Sequence, residues 1–414
     1  MLDHCITRMP DVEVTMLCDL LDTRLEKGQA LLEERNRPRA IATKNYQDVL
    51  DNPEIDAVLL MTGWDNRPTL AKQAMLAGKY TAFEVGCANT LEECFELVEI
   101  HEKTGVPMMM LENCCYSRLE LMILNMVKQG LLGELAHCTG GYCHYLNDCE
   151  LFKHVAENEE VPHYRLGHYI NRNTENYPTH ELGPICKILN INRGNRLVKL
   201  SAFASKSIGL KQYAKDHFGE DSEYAKIDYK QGDIINTIIT CANGETILLT
   251  LDTTLPRAYY SRNISARGTH GMVTEEGNAV FFEGMKEPTR NNLEEYYEKY
   301  DHPLQKEVQA TIGASGINNT AFFGAHADGV DWLVFRAFIE SVKNGTNTPI
   351  DAYDSATWLA IGVLAEQSIA NGGMPVEIPD FTNGKWKNRK PVVKSKYCLD
   401  EIIIDDSTPV FPNL

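Results

Sequence analysis

The amino-acid sequence predicts an α/β fold in two parts: a parallel sheet flanked by helices, then an α+β domain with a large, open, mostly antiparallel sheet. Up to about residue 130, short apolar strands alternate with helical segments, as in a parallel sheet with helices on both faces. After Gly133 strand-like segments follow one another, and Ala242-Asn243-Gly244-Glu245 is a strong hairpin signal. We therefore divide the chain into residues 1–132 and 133–414.

The first part has polar side chains at the ends of its strands. The predicted strands are 12–19, 57–61, 80–84 and 107–112, and the predicted helices are 23–36, 68–77, 90–104 and 116–129. Parallel sheets bind ligands beyond the carboxyl ends of their strands, so side chains at those ends are expected to converge on one edge. These side chains are Asp19, Thr62, Glu84 and Glu112.

No Gly-rich turn precedes the first predicted strand, although a Rossmann-type, dinucleotide-binding domain normally opens with a strand and such a turn. Residues 1–10 have the character of the later part of the helix that follows this turn. We therefore expect the chain to start inside the first βαβ unit, with the first strand missing. Asp19 then fits the acidic residue that binds the adenosine ribose hydroxyls. The alternative is a solvated loop carboxylate.

The second part is predicted to form the open sheet. Its predicted strands are 134–145, 197–205, 234–241, 246–253, 261–274 and 278–283. One face should pack on helices, and the other should stay open for substrate or a partner subunit, so we expect a homo-oligomer through the open sheet. Residues 284–325 are polar and irregular and are predicted to be a loop. Helices at about 328–343 and 353–370 return to the body, and the tail 376–414 is expected to wrap the surface.

Composition excludes several classes of partner. The net charge of −18, from 40 basic and 58 acidic residues, argues against nucleic acid and anionic membrane surfaces. No apolar run is long enough to span a bilayer, and no signal peptide is recognisable. None of the 12 cysteines forms a Cys-x-x-Cys pair, so no metal is expected. We expect reduced, mostly buried thiols in a cytoplasmic protein.

The stretch from Asn176 to Pro184 is the strongest candidate for a site. Proline is well placed in a first helical turn, so we predict a helix that opens near Pro178, with Tyr177 and His180 on its first turn. Backbone N–H groups point outward there, beside a phenol and an imidazole. Such a place can hold a polar substrate and move its protons. The alternative is a tyrosine and a histidine that cap and pack a core helix.

Motifs along nearly the whole chain resemble those of one family. The matching stretches are Cys18-Asp19, Trp64 to Arg67, Glu84-Val85, Met110 to Cys114, Gly140 to His144, Tyr177 to His180 with Leu182-Gly183-Pro184, Ile191 to Gly194, Asp252 to Thr254 with Pro256-Arg257, and Ile378 to Phe381. Together they resemble the Gfo/Idh/MocA oxidoreductase superfamily. Within it they are closest to the NAD-dependent glycosidases of glycoside hydrolase family 109, which are typified by α-N-acetylgalactosaminidase.

The resemblance implies site residues for NAD and for a glycoside. The cofactor-binding residues would be Asp19, Trp64, Asp65, Asn66, Arg67, Glu84, Val85 and Asn113. Tyr142 and His180 would be catalytic, and the sugar site would also contain Glu112, Arg165, Tyr177, Pro178, Thr179 and Tyr259. From sequence, Tyr260 cannot be separated from its neighbour Tyr259. This chain departs from the family at His144-Tyr145-Leu146-Asn147, at Glu181 and in the segment Asn147–His163. These departures leave the sugar open.

The resemblance also implies a redox route to hydrolysis. Ordinary dehydrogenases of the superfamily carry Glu-Lys-Pro where this chain has Glu84-Val85-Gly86, and the glycosidase branch lacks that lysine as well. C3 of the sugar is oxidised by tightly bound, recycled NAD, the C2 proton is removed, the glycoside is eliminated, water adds, and C3 is reduced again. Tyr142 would remove the C2 proton once its pKa is lowered by a nearby cation or the nicotinamide, and His180 would take the C3 hydroxyl proton. The alternatives are a sugar dehydrogenase that exchanges its cofactor and a catalytically impaired relative that binds sugar or NAD.

Overall fold

Parallel strands alternate with helices in the first part of the molecule, which confirms the predicted α/β pattern. The computed structural model describes residues 1–157, 162–315, 329–391, 393–405 and 409–411. The first five strands are β1 (Met16–Cys18), β2 (Ile41–Thr43), β3 (Ala57–Leu60), β4 (Tyr80–Phe83) and β5 (Met108–Met110). The helices between and after them are α1 (Asp22–Glu34), α2 (Tyr46–Asp51), α3 (Arg67–Leu76), α4 (Leu91–Thr104) and α5 (Arg118–Lys128).

The five strands form two separate parallel sheets. β1 pairs with β2, whereas β3, β4 and β5 form a second sheet in that order. Among the described residues, no strand joins the two sheets by hydrogen bonds. Before β1 the chain forms one 3₁₀ turn, Ile6–Arg8, in place of the expected end of an α-helix, and Met9 beside it is fully buried. The sequence does not predict β2, because Ile41–Thr43 is too short to show periodicity.

Eight strands form one sheet in the second part, which confirms the predicted open, mostly antiparallel sheet. They are β6 (Leu135–Cys143), β7 (Leu197–Ala204), β8 (Ile234–Cys241), β9 (Thr246–Asp252), β10 (Ser265–Gly268), β11 (Gly271–Thr274), β12 (Ala279–Phe282) and β13 (Val376–Glu377). Their order is β12-β11-β10-β6-β9-β8-β7-β13. β6 and β9 run parallel, and every other neighbouring pair is antiparallel.

Helices connect and follow the strands of this sheet. They are α6 (Lys153–Glu157), α7 (Tyr164–Asn171), α8 (Thr179–Ile188), α9 (Gly209–Phe218), α10 (Glu223–Lys226), α11 (Glu294–Tyr300), α12 (Pro303–Ser315), α13 (Val330–Asn344) and α14 (Ala352–Ala370). The predicted single strand over 261–274 is instead a hairpin of β10 and β11, because Gly268 and Gly271 flank a tight turn.

The loop predicted over 284–325 is wrong for two segments, because α11 and α12 are helical. Leu304 and Val308 are buried four residues apart on one face of α12, a helical spacing hidden by the polar composition around it. Tyr296 gives α11 a buried anchor. The last residues of the predicted loop, 316–325, lie outside the described residues.

The tail after residue 376 is more than a surface wrap, because its first residues form an edge strand. β13 pairs with β7 through Val376 and Leu200. Further on, the Tyr397 carbonyl accepts a 3.0 Å hydrogen bond from the Tyr116 hydroxyl. The Val410 carbonyl accepts another, also of 3.0 Å, from the indole N–H of Trp332. Among the residues that the structure describes, no helix has both the length and the apolar character needed to cross a membrane.

Two glycines allow α8 to lie close to its neighbours. A Cβ on Gly140 of β6 would come 2.7 Å from the Cβ of Glu181 on α8. A Cβ on Gly183 of α8 would come 2.9 Å from Cγ of Glu112, which follows β5. Real Cβ atoms do not approach so closely, so both positions require glycine as long as α8 stays where it is. α8 is therefore held between β6 and the carboxyl end of β5, where the candidate site forms.

Candidate active site

The carboxyl ends of β3, β4 and β5 bring their polar residues to one edge, as the sequence predicts. Thr62, Glu84 and Glu112 follow three adjacent parallel strands, which pair in register, for example Phe83 with Met110. Asp19 follows β1 in the other parallel sheet, and its Oδ1 accepts a 3.0 Å hydrogen bond from the backbone N–H of Leu21. Three of the four residues thus share one sheet edge.

A buried carboxylate holds the histidine of α8. The helix begins at Thr179, one residue after the predicted start, so His180 lies in its first turn. Nδ1 of His180 lies 2.7 Å from Oε1 of Glu112, which also accepts the backbone N–H of Cys114 at 3.0 Å. Glu112 is fully buried, and its Oε2 has no hydrogen-bond partner among the described residues. We assign the proton to Nδ1, since a carboxylate can only accept it. Nε2 is then the free basic nitrogen.

Three predicted site residues form one cluster of rings. The Tyr142 ring centroid lies 4.4 Å from that of Tyr177 and 5.4 Å from that of His180. The Tyr177 and His180 rings are 4.8 Å apart. Tyr142 comes from β6 and the other two from the start of α8, so the close approach of α8 to β6 brings them together. Pro178 and fully buried Thr179 lie at the same helix start.

Tyr142 has a second partner that sequence reasoning did not select. Its hydroxyl lies 3.1 Å from Nδ1 of His144, two residues further along the chain. Burial lowers the pKa of His144, so the neutral imidazole can accept the phenolic proton. Residues i and i+2 of an extended segment lie on one face. The two-residue spacing of Tyr142 and His144 could therefore have predicted their contact.

The pKa of Tyr142 is raised, whereas the family resemblance implies that it is lowered. Burial raises it well above the usual value, and the nearby Arg165 guanidinium opposes but does not outweigh that shift. The expected cation is therefore present, but desolvation of the phenolate dominates. Proton removal from this phenol requires a partner close at hand, and His144 is in place.

Arg165 lies inside the cluster, although nothing in the sequence predicts its helix α7. Its guanidinium carbon is 4.4 Å from the Tyr177 ring centroid and 5.5 Å from that of Trp64. Nη1 pairs with Oε2 of Glu150 at 2.6 Å, while Nε is buried and has no hydrogen-bond partner among the described residues. The ion pair with Glu150 and the contacts with the two rings therefore hold the guanidinium within the cluster. Glu150 is a second residue that sequence reasoning missed, because its partner is distant in the chain.

Of the two adjacent tyrosines, the structure brings Tyr260 to the cluster and not Tyr259. The Tyr260 ring centroid lies 5.1 Å from that of His144 and 6.3 Å from that of Tyr142. Tyr259 is 70% exposed. Tyr260 is also partly exposed, at 41%, but its ring lies against the cluster. We therefore replace Tyr259 by Tyr260 as the site residue.

The predicted cofactor residues divide into a framework and an exposed group. Arg67 is buried and donates hydrogen bonds to the carbonyls of Glu84 and Val85, both at 2.6 Å, and to that of Thr62. Trp64 is also buried, and its indole N–H donates to Val85 at 3.1 Å. These residues fix the ends of β3 and β4.

The other cofactor candidates differ in exposure. Asp65 and Asn66 are exposed at the start of α3, and Asp65 lies 3.3 Å from Nε2 of His168. Asn113 is buried and donates a 2.6 Å hydrogen bond to Asp331. The partly exposed Asp19 carboxylate can accept hydrogen bonds from the ribose diol of a dinucleotide. Among the described residues before β1, no Gly-rich turn serves the pyrophosphate.

Two buried acids lie behind the site. Glu175 and Glu181 are almost fully buried, and their carboxyl oxygens have no hydrogen-bond partner among the described residues. Burial raises the pKa of Glu175 to about 8. Burial also raises the pKa of Glu181 well above its usual value, and the charge of Glu175 adds to this shift. Burial and the neighbouring Glu175 thus both favour the protonated form of Glu181, which departs from the family pattern.

The first part of the molecule and the overall fold are similar to those of known oxidoreductases. Residues 5–112 match the family described as "Oxidoreductase family, NAD-binding Rossmann fold". A solved structure of levoglucosan dehydrogenase with NADH and levoglucosan is similar, with a TM-score of 0.64 at 14% identity over 89% of this chain and 90% of that one. An oxidoreductase from Agrobacterium radiobacter in complex with NAD+, L-tartaric acid and magnesium has a TM-score of 0.63 at 14% identity, over 91% of this chain and 94% of that one. The fold and the site define a nucleotide-binding enzyme of the Gfo/Idh/MocA type.

The second part of the chain identifies the family to which the protein belongs. Residues 116–388 match "Glycosyl hydrolase 109, C-terminal domain". An alpha-N-acetylgalactosaminidase from Tannerella forsythia is 37% identical over 92% of this chain and 83% of its own length. A glycosyl hydrolase family 109 protein from Parabacteroides distasonis is 35% identical over 93% of this chain and 85% of its own length. The chain belongs to glycoside hydrolase family 109 and is a glycosidase with a Rossmann-type nucleotide-binding domain.

Proposed function

We propose that this glycosidase cleaves hexopyranosides by oxidation at C3 and elimination across C1 and C2, with NAD as the recycled cofactor. The observation that carries the proposal is the convergence of Tyr142, Tyr177 and His180 beside the edge formed by Glu84 and Glu112. The name of the Tannerella relative makes N-acetylgalactosaminides the first substrates to try. When bound, NAD accepts a hydride from C3 of the sugar and later returns it.

His180 is the proposed base for the C3 hydroxyl. Glu112 holds Nδ1 with its proton, which leaves Nε2 free to accept the hydroxyl proton as C3 becomes a ketone. The buried carboxylate also stabilises the imidazolium that results. Asp19, Asp65 and Asn66 are proposed to contact the cofactor directly, while Trp64, Arg67, Glu84, Val85 and Asn113 shape its edge.

Tyr142 is the proposed base for C2, with His144 as its partner. A ketone at C3 acidifies the C2 proton, which moves to the Tyr142 oxygen while the phenolic proton moves to Nδ1 of His144. The electron pair of the C2–H bond forms the C1–C2 double bond, and the leaving group departs from C1 with its own pair. Water then adds its hydroxyl at C1, and a proton returns to C2. Arg165 stabilises negative charge on the phenol oxygen, and Tyr260 encloses the pair.

The two parts of the chain have different proposed roles. Residues 1–132 bind the cofactor, and residues 133–414 provide the sugar pocket. The alternative function is a sugar dehydrogenase that exchanges its cofactor with solvent. Dehydrogenases of this superfamily have a lysine where this chain has Val85, so this position does not support the alternative. Val85 is buried, and its carbonyl serves Trp64 and Arg67.

Homo-oligomerisation through the open sheet and a cytoplasmic location stay predictions. Phe203 on β7 is 56% exposed and Ile238 on β8 is 50% exposed. Apolar side chains on neighbouring strands are compatible with a partner subunit on this face.

Turnover in heavy water tests the proposal. Aryl N-acetylgalactosaminides, galactosides and glucosides should be hydrolysed in the presence of NAD, and the released sugar should contain deuterium at C2. The incorporation follows because solvent protons exchange at the C2 base before the proton returns. Hydrolysis without deuterium at C2 would contradict the redox route while leaving a glycosidase. Net accumulation of NADH with a stable keto sugar would indicate the dehydrogenase instead.

A further inference from the structure

The ion pair between Glu150 and Arg165 places a negative charge in the proposed sugar pocket. Glu150 lies on a helical turn, Asn147–Leu151, and Arg165 lies on α7. Oε2 of Glu150 is 2.6 Å from Nη1 of Arg165. The Glu150 side chain is 28% exposed and the Arg165 side chain 9%, so Glu150 lies on the solvent side of the guanidinium.

The charges around Arg165 come from several elements. Tyr177, Tyr142 and Glu150 all raise its pKa, and Glu150 is the carboxylate with the largest effect. His144 also faces this group, since Arg165 lowers its pKa and Glu150 raises it. Glu112 acts on Tyr177 from the other side of the ring cluster. Among the described residues, the guanidinium therefore has Glu150 as its close carboxylate partner, which offsets its charge.

A buried arginine without such a partner would be a receptor for a carboxylate. Guanidinium groups bind carboxylates through paired, charge-assisted hydrogen bonds, and burial strengthens that preference. With Glu150 already on Nη1, a second carboxylate would meet a like charge in a poorly solvated pocket. A neutral sugar hydroxyl meets no such repulsion.

We propose that Glu150 is a specificity-determining residue that pairs with Arg165 and makes the pocket select glycosides of uncharged sugars over those of uronic acids. The inference rests on the proposed function, because it uses the same pocket. Glu150 lies in the segment Asn147–His163, which departs from the family pattern. Glu150 is therefore proposed to influence which sugar is accepted, whereas Tyr142 and His180 carry the proposed chemistry.

The test compares two substrates that differ in one group. An aryl galactoside and the matching aryl galacturonide differ only in a hydroxymethyl or a carboxylate at C5. In Glu150→Gln, the galacturonide-to-galactoside ratio of kcat/KM should rise on the order of tenfold or more, because one negative charge close to Arg165 is gone. Asp148→Asn is the matched control, since it removes an acid from the same turn that is exposed. Its ratio should stay near that of the wild type.

A merely structural role of Glu150 predicts a different result. Loss of a loop contact would reduce kcat/KM for both substrates together, so an unchanged or lower ratio in Glu150→Gln would overturn the proposal. Glu150→Asp keeps the charge and should keep the wild-type preference for galactosides. A rise in Asp148→Asn equal to that in Glu150→Gln would also overturn it, because the effect would then come from overall charge.

A binding measurement separates this proposal from the proposed reaction. The Trp64 ring lies 5.5 Å from the Arg165 guanidinium, so its fluorescence should respond to a bound sugar. The wild type should bind galactose at least tenfold more tightly than galacturonate, and Glu150→Gln should narrow or reverse that preference. If no glycoside is hydrolysed, the proposed function fails, but this binding ratio still tests the role of Glu150. Should Glu150→Gln not fold, equal or tighter binding of galacturonate by the wild type would refute the proposal.

Discussion

Nδ1 of His180 lies 2.7 Å from Oε1 of Glu112, a fully buried carboxylate at the end of β5. The two residues come from different parts of the chain, and Gly183 allows α8 to lie against Glu112 closely enough for them to meet. The pair fixes which imidazole nitrogen carries the proton. It therefore prepares Nε2 as a base before a sugar arrives.

Removal of the Glu112 charge should impair His180. Glu112→Gln replaces an acceptor by an amide that can also donate, so the imidazole loses its fixed tautomer. We expect kcat for the best aryl glycoside to fall by about a hundredfold or more, with little change in melting temperature. Steady-state kinetics and thermal unfolding measure the two quantities. Glu92→Gln, on the exposed side of α4, is the control. A variant with nearly normal kcat would show that the pair is structural.

Tyr142 and His180 should fail at different steps. Tyr142→Phe removes the C2 base but leaves C3 oxidation possible, so sugar added with NAD should still produce NADH absorbance while little glycoside is cleaved. His180→Ala should lose both signals, because C3 oxidation requires the hydroxyl proton to leave. General-base loss typically lowers rates by about a hundredfold or more.

The exposed Tyr259 offers the matched control for this experiment. Tyr259→Phe should retain wild-type activity, whereas Tyr260→Phe should lower it. Absorbance at the NADH band and release of the aryl group report the two steps separately. If both Tyr142→Phe and His180→Ala cleaved the glycoside at a normal rate, the ring cluster would not be the active site.

Glu175 should make the fold less stable as pH rises. Burial raises its pKa in the folded state to about 8, against roughly 4.3 for an unperturbed glutamate, so the folded state binds more protons between these values. Its contribution to stability is complete below the lower value and declines toward the upper one, by about 1.4 kcal/mol per pH unit at most. Glu175→Gln mimics the protonated acid and should be less sensitive to pH.

Urea unfolding at pH 5, 6, 7 and 8 measures this difference. The free energy of unfolding of Glu175→Gln relative to the wild type should rise from pH 5 to pH 8. Titrating groups far from Glu175 contribute equally to both proteins and cancel, so the difference reports the titration of Glu175 and of its neighbour Glu181. A difference independent of pH would mean that Glu175 is not protonated in the fold.

A buried ion cluster should carry a large share of the stability. Asp354 accepts hydrogen bonds from Lys187 at 2.7 Å and from Arg193 at 2.8 Å. Asp354→Asn leaves the three largely buried cations Lys187, Arg193 and Arg389 with only two close carboxylates among the described residues, Asp351 and Asp400. Because one buried positive charge is then uncompensated, unfolding should become easier by about 3–5 kcal/mol. Asp22→Asn is the control: its 2.7 Å pair with Lys44 is exposed, and such pairs contribute about 0–1 kcal/mol. Urea titration of both variants checks the contrast, and equal losses would contradict it.

Sequence periodicity predicts most of the fold, and the misses have physical reasons. The apolar strands β3, β4 and β5 and the hairpin of β8 and β9 give strong local signals. α12 gives a weak signal, because Leu304 and Val308 stand among polar residues, one of which, Gln305, is also buried and donates a hydrogen bond to the Tyr116 carbonyl. Propensity and period describe a segment by itself, whereas that helix depends on what it packs against.

The sequence predicts those parts of the candidate site that lie within one short segment. The opening of α8 and the ring cluster follow from Tyr177-Pro178-Thr179-His180 together with the family motifs. Side-chain direction is not a local property, so the inward position of Arg67 and the outward position of Tyr259 appear only in three dimensions. The pairing of Glu150 with Arg165 likewise joins two elements that no spacing rule connects.

The glycine contacts that hold α8 against β6 have an evolutionary consequence. Drift at Gly140 or Gly183 would disturb two elements at once, so the reacting groups occupy a part of the molecule that tolerates little variation. The turn that carries Glu150 has no comparable constraint at its exposed positions. With the proposed role of Glu150, related enzymes can change their sugar preference through substitutions in this one surface turn. The residues around α8, and with them the reaction, can stay the same.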